Sequence, residues 1–299
     1  MRILVTGNHG QLVSSLIALA NSEIQVIALG RPELDLVASP RTICTAIAFE
    51  KPDIIISAAA YTAVDKAEDE PERAYAINAN GAQAIAQAAE TLGIPVIHIS
   101  TDYVFDGEKT GYYSESDTPA PRSVYGASKL EGERLVAETA TRHIILRTAW
   151  VYSPYGNNFL KTMLRLGPDR HEISVVSDQY GNPTSAANIA SSIIHICTRI
   201  LSGEFHDWGI YHLVDGSEAS WSEWAEYIFE CAGMAVRIIP IKAEEYPSKA
   251  TRPYNSRLST DKLNRVFSLE ASDWKLSTKI VVDQVLNINS DNIYGDTTQ

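Results

Sequence analysis

The chain has 299 residues, of which 45% are hydrophobic and 21% charged, and its formal net charge is −12. It is long enough for one large domain or two modest ones, and its composition is that of a globular protein. The acidic balance argues against nucleic acid and acidic membrane surfaces as partners. The apolar run at the N-terminus stops at Gly7, too short for a signal peptide or a membrane span, which predicts a cytoplasmic protein.

The cysteines exclude two further classes of site. Cys44, Cys197 and Cys231 lie far apart in the chain and are odd in number, so neither a disulfide framework nor a zinc site is expected.

Strands and helices alternate along the N-terminal half. The predicted strands are RILVTG, QVIALG, PDIIISAAA and PVIHISTDYVF. The helical patterns between them are LVSSLIALAN, residues 40–50 and EPERAYAINANGAQAIAQAAETLG. This alternation predicts an α/β fold of the Rossmann type, a doubly wound parallel sheet with helices on both faces. Right-handed crossovers would place the carboxyl ends of all strands on one edge, where ligands bind.

The turn after the first strand, TGNHGQL, contains Gly7 and Gly10, with Val13 where a third glycine would complete a dinucleotide fingerprint. Glycines at this point let the backbone approach a pyrophosphate, whose charge the helix N-terminus favours. The spacing predicts a dinucleotide site. A tight turn without a ligand is the alternative.

The second strand ends in Gly30 and Arg31 instead of an acidic residue. A carboxylate there would bind the ribose 2′-hydroxyl of NAD, whereas a small residue and an arginine suit a 2′-phosphate. We therefore expect NADPH as the cofactor. NADH is the alternative, because Arg31 could equally be a solvated surface charge and Asp35 could approach the adenosine.

The C-terminal half begins with the strand HIILRTAWVY and continues with EISVVSDQYGNPTS, a strand that enters a loop. After about Gly203 the amino-acid composition changes, because tryptophans cluster there. GIYHLVDG predicts a strand, and SWSEWAEYIFECAG predicts a helix that follows it. This part is expected to form a smaller cap that closes over the sheet edge. Residues 1–155 would be mainly the NAD(P)-binding domain and 156–299 mainly a substrate-binding domain, with some segments interleaved back into the sheet. The polar tail INSDNIYGDTTQ is expected to fray.

The stretch VYGASK places Tyr125 four residues before Lys129, on one face of a helix. An ammonium beside a phenol favours the phenolate, so we expect Lys129 to lower the pKa of Tyr125 from its ordinary value of about 10. The pair could then give a proton to a carbonyl that receives a hydride. This spacing is frequent by chance, but a preceding strand ends in Ser100, Thr101 and Asp102, where a hydroxyl can hydrogen-bond to the same carbonyl.

The glycine turn, the alanine-rich loop after the third strand, the Ser-Thr strand end and Tyr-x-x-x-Lys resemble, in this order, the extended short-chain dehydrogenase/reductase superfamily. Longer strings narrow the resemblance: SAAAYTAVDKAEDEPERAYAIN, STDYVFDG, VYGASKLEGE, RTAWVYSPYGNNFLKTMLRL, DQYGNPT, YHLV and RPYNSRL. Together they are similar to dTDP-4-dehydrorhamnose reductase, from Met1 to about Leu263. The resemblance implies NAD(P)H-dependent reduction of the C4 keto group of dTDP-4-dehydro-L-rhamnose to dTDP-L-rhamnose, the last step of dTDP-rhamnose biosynthesis.

The resemblance also implies site residues. Tyr125 would be the proton donor, Lys129 would hold the nicotinamide ribose and Thr101 would steady the carbonyl. The remaining expected cofactor contacts, together with Tyr125 and Lys129, are Gly7, Gly10, Gln11, Leu12, Gly30, Arg31, Asp35, Leu36, Ala58, Ala59, Ala60, Tyr61 and Thr62. The expected substrate contacts are Thr101, Asp102, Val104, Trp150, Asn158, Lys161, Arg252 and Asn255. A sugar nucleotide needs aromatic faces and cations, which several of these supply.

Some members of the family are thought to dimerise around magnesium through acidic residues. The corresponding positions here are Ser15 and Ala187, which cannot ligate a hard cation as a carboxylate does. We therefore expect no metal and no magnesium-bridged dimer, but a monomer or weak homodimer.

Two other functions stay open at this point. The beta subunit of methionine adenosyltransferase is similar to this family and works as a regulatory partner. A related sugar-nucleotide epimerase or dehydratase is the second alternative, although Asp102 is followed by Tyr103 and not by the second acid that elimination would need.

Overall fold

The computed structural model describes the backbone of residues 1–295 and the side chains of residues 1–287. The tail that was expected to fray, 288–299, lies outside the residues whose side chains are described.

The strands are short and mostly buried. They are β1 (Arg2–Thr6), β2 (Gln25–Leu29), β3 (Ile54–Ser57), β4 (Val96–Thr101), β5 (His143–Thr148), β6 (Val151–Tyr152), β7 (Glu172–Val176), β8 (Tyr180–Gly181), β9 (Thr184–Ser185), β10 (Gly209–His212), β11 (Ala219–Ser220) and β12 (Arg237–Ile241).

The helices are α1 (Gln11–Ala18), α2 (Pro40–Glu50), α3 (Val64–Ala67), α4 (Pro71–Tyr75), α5 (Ala82–Leu92), α6 (Val124–Thr139), α7 (Phe159–Leu166), α8 (Ala186–Leu201), α9 (Trp221–Ala232), α10 (Asp261–Phe267) and α11 (Trp274–Gly295). A π-helical segment, Ala76–Gly81, joins α4 to α5, so the long helical stretch expected there is continuous but locally wider and underwound. The sequence analysis did not predict α7, α8, α10 or α11.

Six parallel strands form the main sheet in the order β10-β5-β4-β3-β1-β2. Alternate residues of each strand face opposite sides, and both sides are covered, which is why most strand residues are apolar. Ile3 and Val5 pack with α1, α8 and α10, whereas Leu4 packs with α2, α5 and α6. The predicted doubly wound α/β fold is therefore confirmed.

The strand order reverses at β1. The chain passes from β1 to β2 on one side and then crosses to β3 on the other, which opens a crevice between the carboxyl ends of β1 and β3. The Thr6 hydroxyl lies at this point and accepts the N–H groups of Ala58 and Ala59, each at 3.0 Å. The ligand crevice of this fold is thus lined by the glycine turn and by the loop after β3.

A second group of elements packs beside the sheet. Strands β7 and β12 pair in parallel, and α7, α9 and α11 enclose an apolar core that includes Tyr152, Trp224 and Trp274. The part of the chain after about Gly203 was expected to form this cap, with some segments interleaved back into the sheet; GIYHLVDG is such a segment, because its strand β10 pairs with β5 in the main sheet. Tyr211 and His212 within it are completely buried, as suits a strand covered on both faces.

In the described part of the chain no helix is both long and apolar enough to cross a membrane.

Candidate active site

The glycine turn forms a cradle at the N-terminus of α1. Gly7 has φ +106°, a conformation that favours glycine, and its N–H donates to the carbonyl of Leu29 at 2.7 Å. Gly10 is the N-cap of α1, and no side chain caps the helix. The first N–H groups of α1 are therefore left for a ligand, an arrangement that fits the pyrophosphate of a dinucleotide.

Position 30 requires a glycine because Asn8 packs against it. A Cβ at Gly30 would lie 2.8 Å from the backbone nitrogen of Asn8, whose side chain donates to the carbonyl of Arg31 at 2.8 Å. The Arg31 side chain itself is exposed and, within the described residues, forms no ion pair. A cation so placed at the end of β2 is available to a 2′-phosphate.

Beyond Arg31, the two other residues expected on the adenosine side have local contacts. The carboxylate of Asp35 accepts the N–H of Val37 at 3.1 Å, and Leu36 packs so closely on Gly81 that a Cβ there would lie 2.8 Å from the Cβ of Leu36.

The loop after β3 is fixed by a buried asparagine that the sequence analysis missed. The side chain of Asn78 accepts the N–H of Tyr61 at 2.8 Å and donates to its carbonyl at 3.1 Å. It also donates to the Ser128 hydroxyl on α6 at 3.0 Å. Asn78 thereby ties the loop Ala58–Thr62 to the helix of the Tyr-x-x-x-Lys pair. Its place in the π-helical segment could not be inferred from its spacing.

Tyr125 is the second residue of α6, and three contacts fix the start of that helix. The Ser123 hydroxyl accepts the N–H of Gly126 at 3.1 Å, and Glu68 accepts that of Val124 at 2.8 Å. A Cβ at Gly126 would lie 2.2 Å from the carbonyl oxygen of Tyr103, so only glycine lets the helix approach this closely.

The Tyr125 side chain is half-buried, and its pKa is raised to about 12. Burial is the main cause; the negative charge of Asp102 adds to it, and a hydrogen bond with Thr101 opposes it. Lys129 is not among the causes of this shift, so the lowering expected from Lys129 stays a prediction for the site with its cofactor bound.

The Lys129 side chain is directed toward β4. Its ammonium donates to the carbonyl of Ile99 at 2.6 Å and lies 3.3 Å from Nε2 of His98. The side chain is buried, which lowers the pKa of Lys129 to about 8, while the charge of Glu133 acts in the opposite direction. Of Tyr125 and Lys129, it is therefore Lys129 whose pKa is lowered.

Thr101 ends β4 beside Tyr125. Its hydroxyl donates to Oδ1 of Asp102 at 3.0 Å and accepts the N–H of Tyr103 at 3.2 Å. Asp102 is 2% exposed, and burial raises its pKa to about 6. The Thr101 proton is thus directed to the aspartate, and Thr101 must rotate before it can donate to a substrate carbonyl.

Trp150 lies just beyond β5 at the same sheet edge. Its φ is +46°, unusual for a bulky residue, and its ring stacks on that of Trp221 with 3.5 Å between centroids and 9° between planes. The backbone of Gly181 approaches it so closely that a Cβ would lie 2.5 Å from Cε2 of Trp150. The sequence analysis noted the tryptophans after Gly203 but did not predict this stacking.

Asn158 and Lys161 have internal partners in this structure. Asn158 caps α7 and donates to Oε1 of Gln11 at 2.9 Å and to the carbonyl of Ser153 at 2.8 Å. The Lys161 ammonium donates to the carbonyl of Pro154 at 2.9 Å. Gln11, expected on the cofactor, therefore joins the glycine turn to the segment expected on the substrate.

Arg252 is paired across the molecule with Asp65, through Nη2 and Oδ2 at 2.6 Å. Asn255 is 6% exposed and donates to the carbonyls of Lys109 and Gly111 at 2.6 and 2.7 Å, so it anchors that loop. Val104 is fully buried in an apolar cluster, which leaves its side chain without access to a ligand in this structure.

The sequence analysis missed a buried ion pair between β5 and α6, the helix that carries Tyr125 and Lys129. Arg147 donates to Glu133 through Nε at 2.9 Å and Nη2 at 2.6 Å, and the Ser100 hydroxyl donates to the same carboxylate at 2.5 Å. The arginine within the apolar strand HIILRT was the signal that could have indicated it, because a buried charge requires a partner.

The family model for the RmlD substrate binding domain matches residues 1–287. A dTDP-4-dehydrorhamnose reductase of Sinorhizobium fredii is 50% identical over 287 residues, which cover 94% of this chain and 97% of the relative. The chain belongs to this family. A protein of the same name from Escherichia coli strain K12 is 42% identical, over 83% of this chain and 85% of its own length.

Solved structures agree with the sequence relatives. The dTDP-4-dehydrorhamnose reductase of Bacillus anthracis, in complex with NADP, has a TM-score of 0.89 and 38% identity, and the match covers 95% of this chain and 99% of that one. The Clostridium acetobutylicum protein has a TM-score of 0.90 and 36% identity, over 96% and 100%. A Thermus thermophilus UDP-glucose 4-epimerase, at 19% identity and a TM-score of 0.76, shares the fold. The predicted family is confirmed.

Proposed function

We propose that this chain reduces the C4 keto group of dTDP-4-dehydro-L-rhamnose to dTDP-L-rhamnose with NADPH. The observation that carries the proposal is the hydrogen bond between Thr101, at the carboxyl end of β4 in a doubly wound sheet, and Tyr125 on α6, with Lys129 one turn further along that helix. Membership of the dTDP-4-dehydrorhamnose reductase family supports the same substrate class.

The residues of the crevice fit NADPH. The first N–H groups of α1, at Gln11 and Leu12, would hold the pyrophosphate, and Arg31 would hold the 2′-phosphate. The Bacillus anthracis relative was solved with NADP, which supports the same preference here. When bound, NADPH supplies the hydride.

Tyr125 would give the proton. Because its pKa is raised to about 12, the phenol keeps its proton through neutral pH, the form that a donor needs. An alkoxide forming at C4 is a stronger base than a phenolate, so the proton moves toward it. Thr101, once rotated away from Asp102, would donate a hydrogen bond to the same oxygen.

Lys129 would contribute a fixed positive charge beside the cofactor ribose. Its pKa of about 8 keeps the ammonium protonated at neutral pH and predicts loss of that charge on the alkaline side. Trp150, stacked on Trp221, would present an aromatic surface to the sugar nucleotide.

The test is NADPH oxidation, followed at the nicotinamide absorbance, with freshly prepared dTDP-6-deoxy-L-lyxo-4-hexulose. We expect turnover by the native protein and a loss of about 10²–10⁴-fold in Tyr125→Phe, the usual contribution of a positioned proton donor. NADPH binding, measured by fluorescence, should persist in the variant. NADPH binding by the native protein without turnover would instead support the partner-subunit alternative, and unchanged turnover in Tyr125→Phe would remove its acid role.

We further propose that the chain works in the cytoplasm as a monomer or weak homodimer without a bridging magnesium ion, and that its N-terminal part holds the cofactor and its C-terminal part the substrate. The support for the assembly is that Ser15 is buried, with its hydroxyl donating to the carbonyl of Gln11 at 2.8 Å, and that Ala187 carries no ligand atom. Sedimentation with and without magnesium tests this.

A further inference from the structure

Lys129 is held by a buried histidine that has no part in the mechanism above. His98 lies on β4, is 1% exposed, and faces the Lys129 ammonium through Nε2 at 3.3 Å. On its other side, Nδ1 lies 3.0 Å from the hydroxyl of Ser57. The two contacts arise from strand pairing, because Ser57 and His98 are register partners in β3 and β4.

The direction of each hydrogen bond follows from chemistry. An ammonium can only donate, so Nε2 of His98 must accept from Lys129 and carry no proton. Burial and the lysine charge both lower the pKa of His98 well below its ordinary value, so the ring stays neutral. A neutral ring then carries its proton on Nδ1, which donates to the Ser57 hydroxyl.

Two of the three N–H bonds of the Lys129 ammonium have partners among the described residues. Of the three N–H bonds of Lys129, one goes to the carbonyl of Ile99 at 2.6 Å and one to His98. The third is therefore fixed in direction by the first two. A side chain with four rotatable bonds is thereby held in one orientation.

From these contacts we propose that His98 is a positioning residue for Lys129 and that Ser57, as acceptor for Nδ1–H, stabilises the tautomer that lets it act. This inference rests on the proposed function, since it concerns the lysine of that site. Besides His98, the ionisable group that acts on the ammonium is Glu133 on α6, with Arg147 of β5 bound to that carboxylate; Tyr125 lies one turn earlier on the same helix.

The first experiment measures the lysine directly. In protein labelled with ¹³C at lysine Cε, the pKa of Lys129 is followed by NMR, its signal identified by its absence from Lys129→Arg. His98→Leu removes the acceptor and should lower the pKa of Lys129 by about one unit, the equivalent of one hydrogen bond to a charged group. His98→Gln keeps an acceptor near the Nε2 position and should restore most of the native value.

The matched control is His143→Leu. His143 lies on the neighbouring strand β5 and contacts the carbonyl of Ala140 at 2.7 Å, away from Lys129. This variant should leave the pKa of Lys129 unchanged. Equal pKa values in His98→Leu and the native protein would overturn the proposal.

Ser57→Ala provides a second route, independent of whether His98→Leu folds. In ¹⁵N-histidine spectra the native His98 should be neutral with its proton on Nδ1, and Ser57→Ala should increase the population protonated on Nε2. A ring protonated on Nε2 in the native protein would refute the inference.

Turnover gives the third measurement. The alkaline limb of kcat should move to lower pH in His98→Leu and return toward its native position in His98→Gln. Native protein with the predicted NMR shifts but without reductase turnover would refute the proposed function and leave the positioning role intact. Normal turnover with an unmoved limb in His98→Leu would refute the positioning role alone.

Discussion

Replacing Arg147 with methionine should destabilise the protein by about 3–5 kcal/mol, the usual cost of removing one partner of a buried ion pair. The two side chains, Arg147 and Glu133, are 2% and 3% exposed and share two hydrogen bonds, at 2.9 and 2.6 Å. After the substitution the carboxylate keeps, among the described residues, the hydrogen bond from the Ser100 hydroxyl and the charge interaction with Lys129. Methionine retains much of the arginine volume, so the loss reports the uncompensated charge and not a cavity.

The size of this loss should depend on pH. Without Arg147, burial penalises the negative charge of the Glu133 carboxylate. The loss is greatest where the carboxylate carries its charge and smaller in acid, where that charge is neutralised. The difference from the native protein should therefore be larger at pH 8 than at pH 5.

The assay is urea unfolding followed by circular dichroism at both pH values. Arg134→Met is the control, because Arg134 follows Glu133 on α6 but pairs with Glu131 and Glu138 on the exposed surface. That variant should unfold close to the native midpoint. A double variant, Arg147→Met with Glu133→Leu, should recover most of the stability. Indistinguishable midpoints for Arg147→Met and Arg134→Met would refute the reasoning.

Three further predictions concern the ligand sites. Gly181→Ala should displace Trp150, because the new Cβ would lie 2.5 Å from Cε2 of that ring. We expect a higher KM and a changed near-ultraviolet circular dichroism spectrum. Gly203→Ala is the control and should have no effect, because a Cβ at that position meets nothing within 4 Å. Arg31→Ala should weaken NADPH binding about 10–100-fold, the range of a charge-assisted hydrogen bond, and NADH binding much less; equal losses would exclude a 2′-phosphate contact. Burial raises the pKa of Asp102 from 3.8 to about 6, so its stabilising contribution is present below about pH 4 and is lost as the pH rises through 6. Asp102→Asn should therefore increase stability at pH 8 by about 2–3 kcal/mol and hardly at all at pH 4, and a pH-independent effect in urea unfolding would contradict this.

The sheet and the family followed from the sequence because their signals are local. Contiguous apolar residues such as Ile3, Leu4 and Val5 suit a strand buried on both faces, and the alternation with helices leaves few alternatives to a parallel sheet. The Gly7–Gly10 turn and the Tyr125–Lys129 spacing are short patterns within one element. Each can be recognised without knowing what lies across the molecule.

The sequence did not indicate contacts between residues that lie far apart along the chain. β10 joins the main sheet because β5 offers it an edge, and the composition after Gly203 could not indicate this pairing. Asn255 lies in a string shared with the family, but its amide is used by the loop at Lys109 and Gly111. α8 covers one face of the sheet from the second half of the chain.

The electrostatics of the site was decided entirely by tertiary structure. Four-residue spacing places Tyr125 and Lys129 on one face of α6, but it does not say which side chain is desolvated or where the ammonium points. Strand β4 supplies the Ile99 carbonyl and His98 to Lys129, and burial then raises the pKa of Tyr125 and lowers that of Lys129. The sequence determines which groups can titrate, whereas the surroundings brought together by folding determine their pKa values, because desolvation and charge act through space and not along the chain.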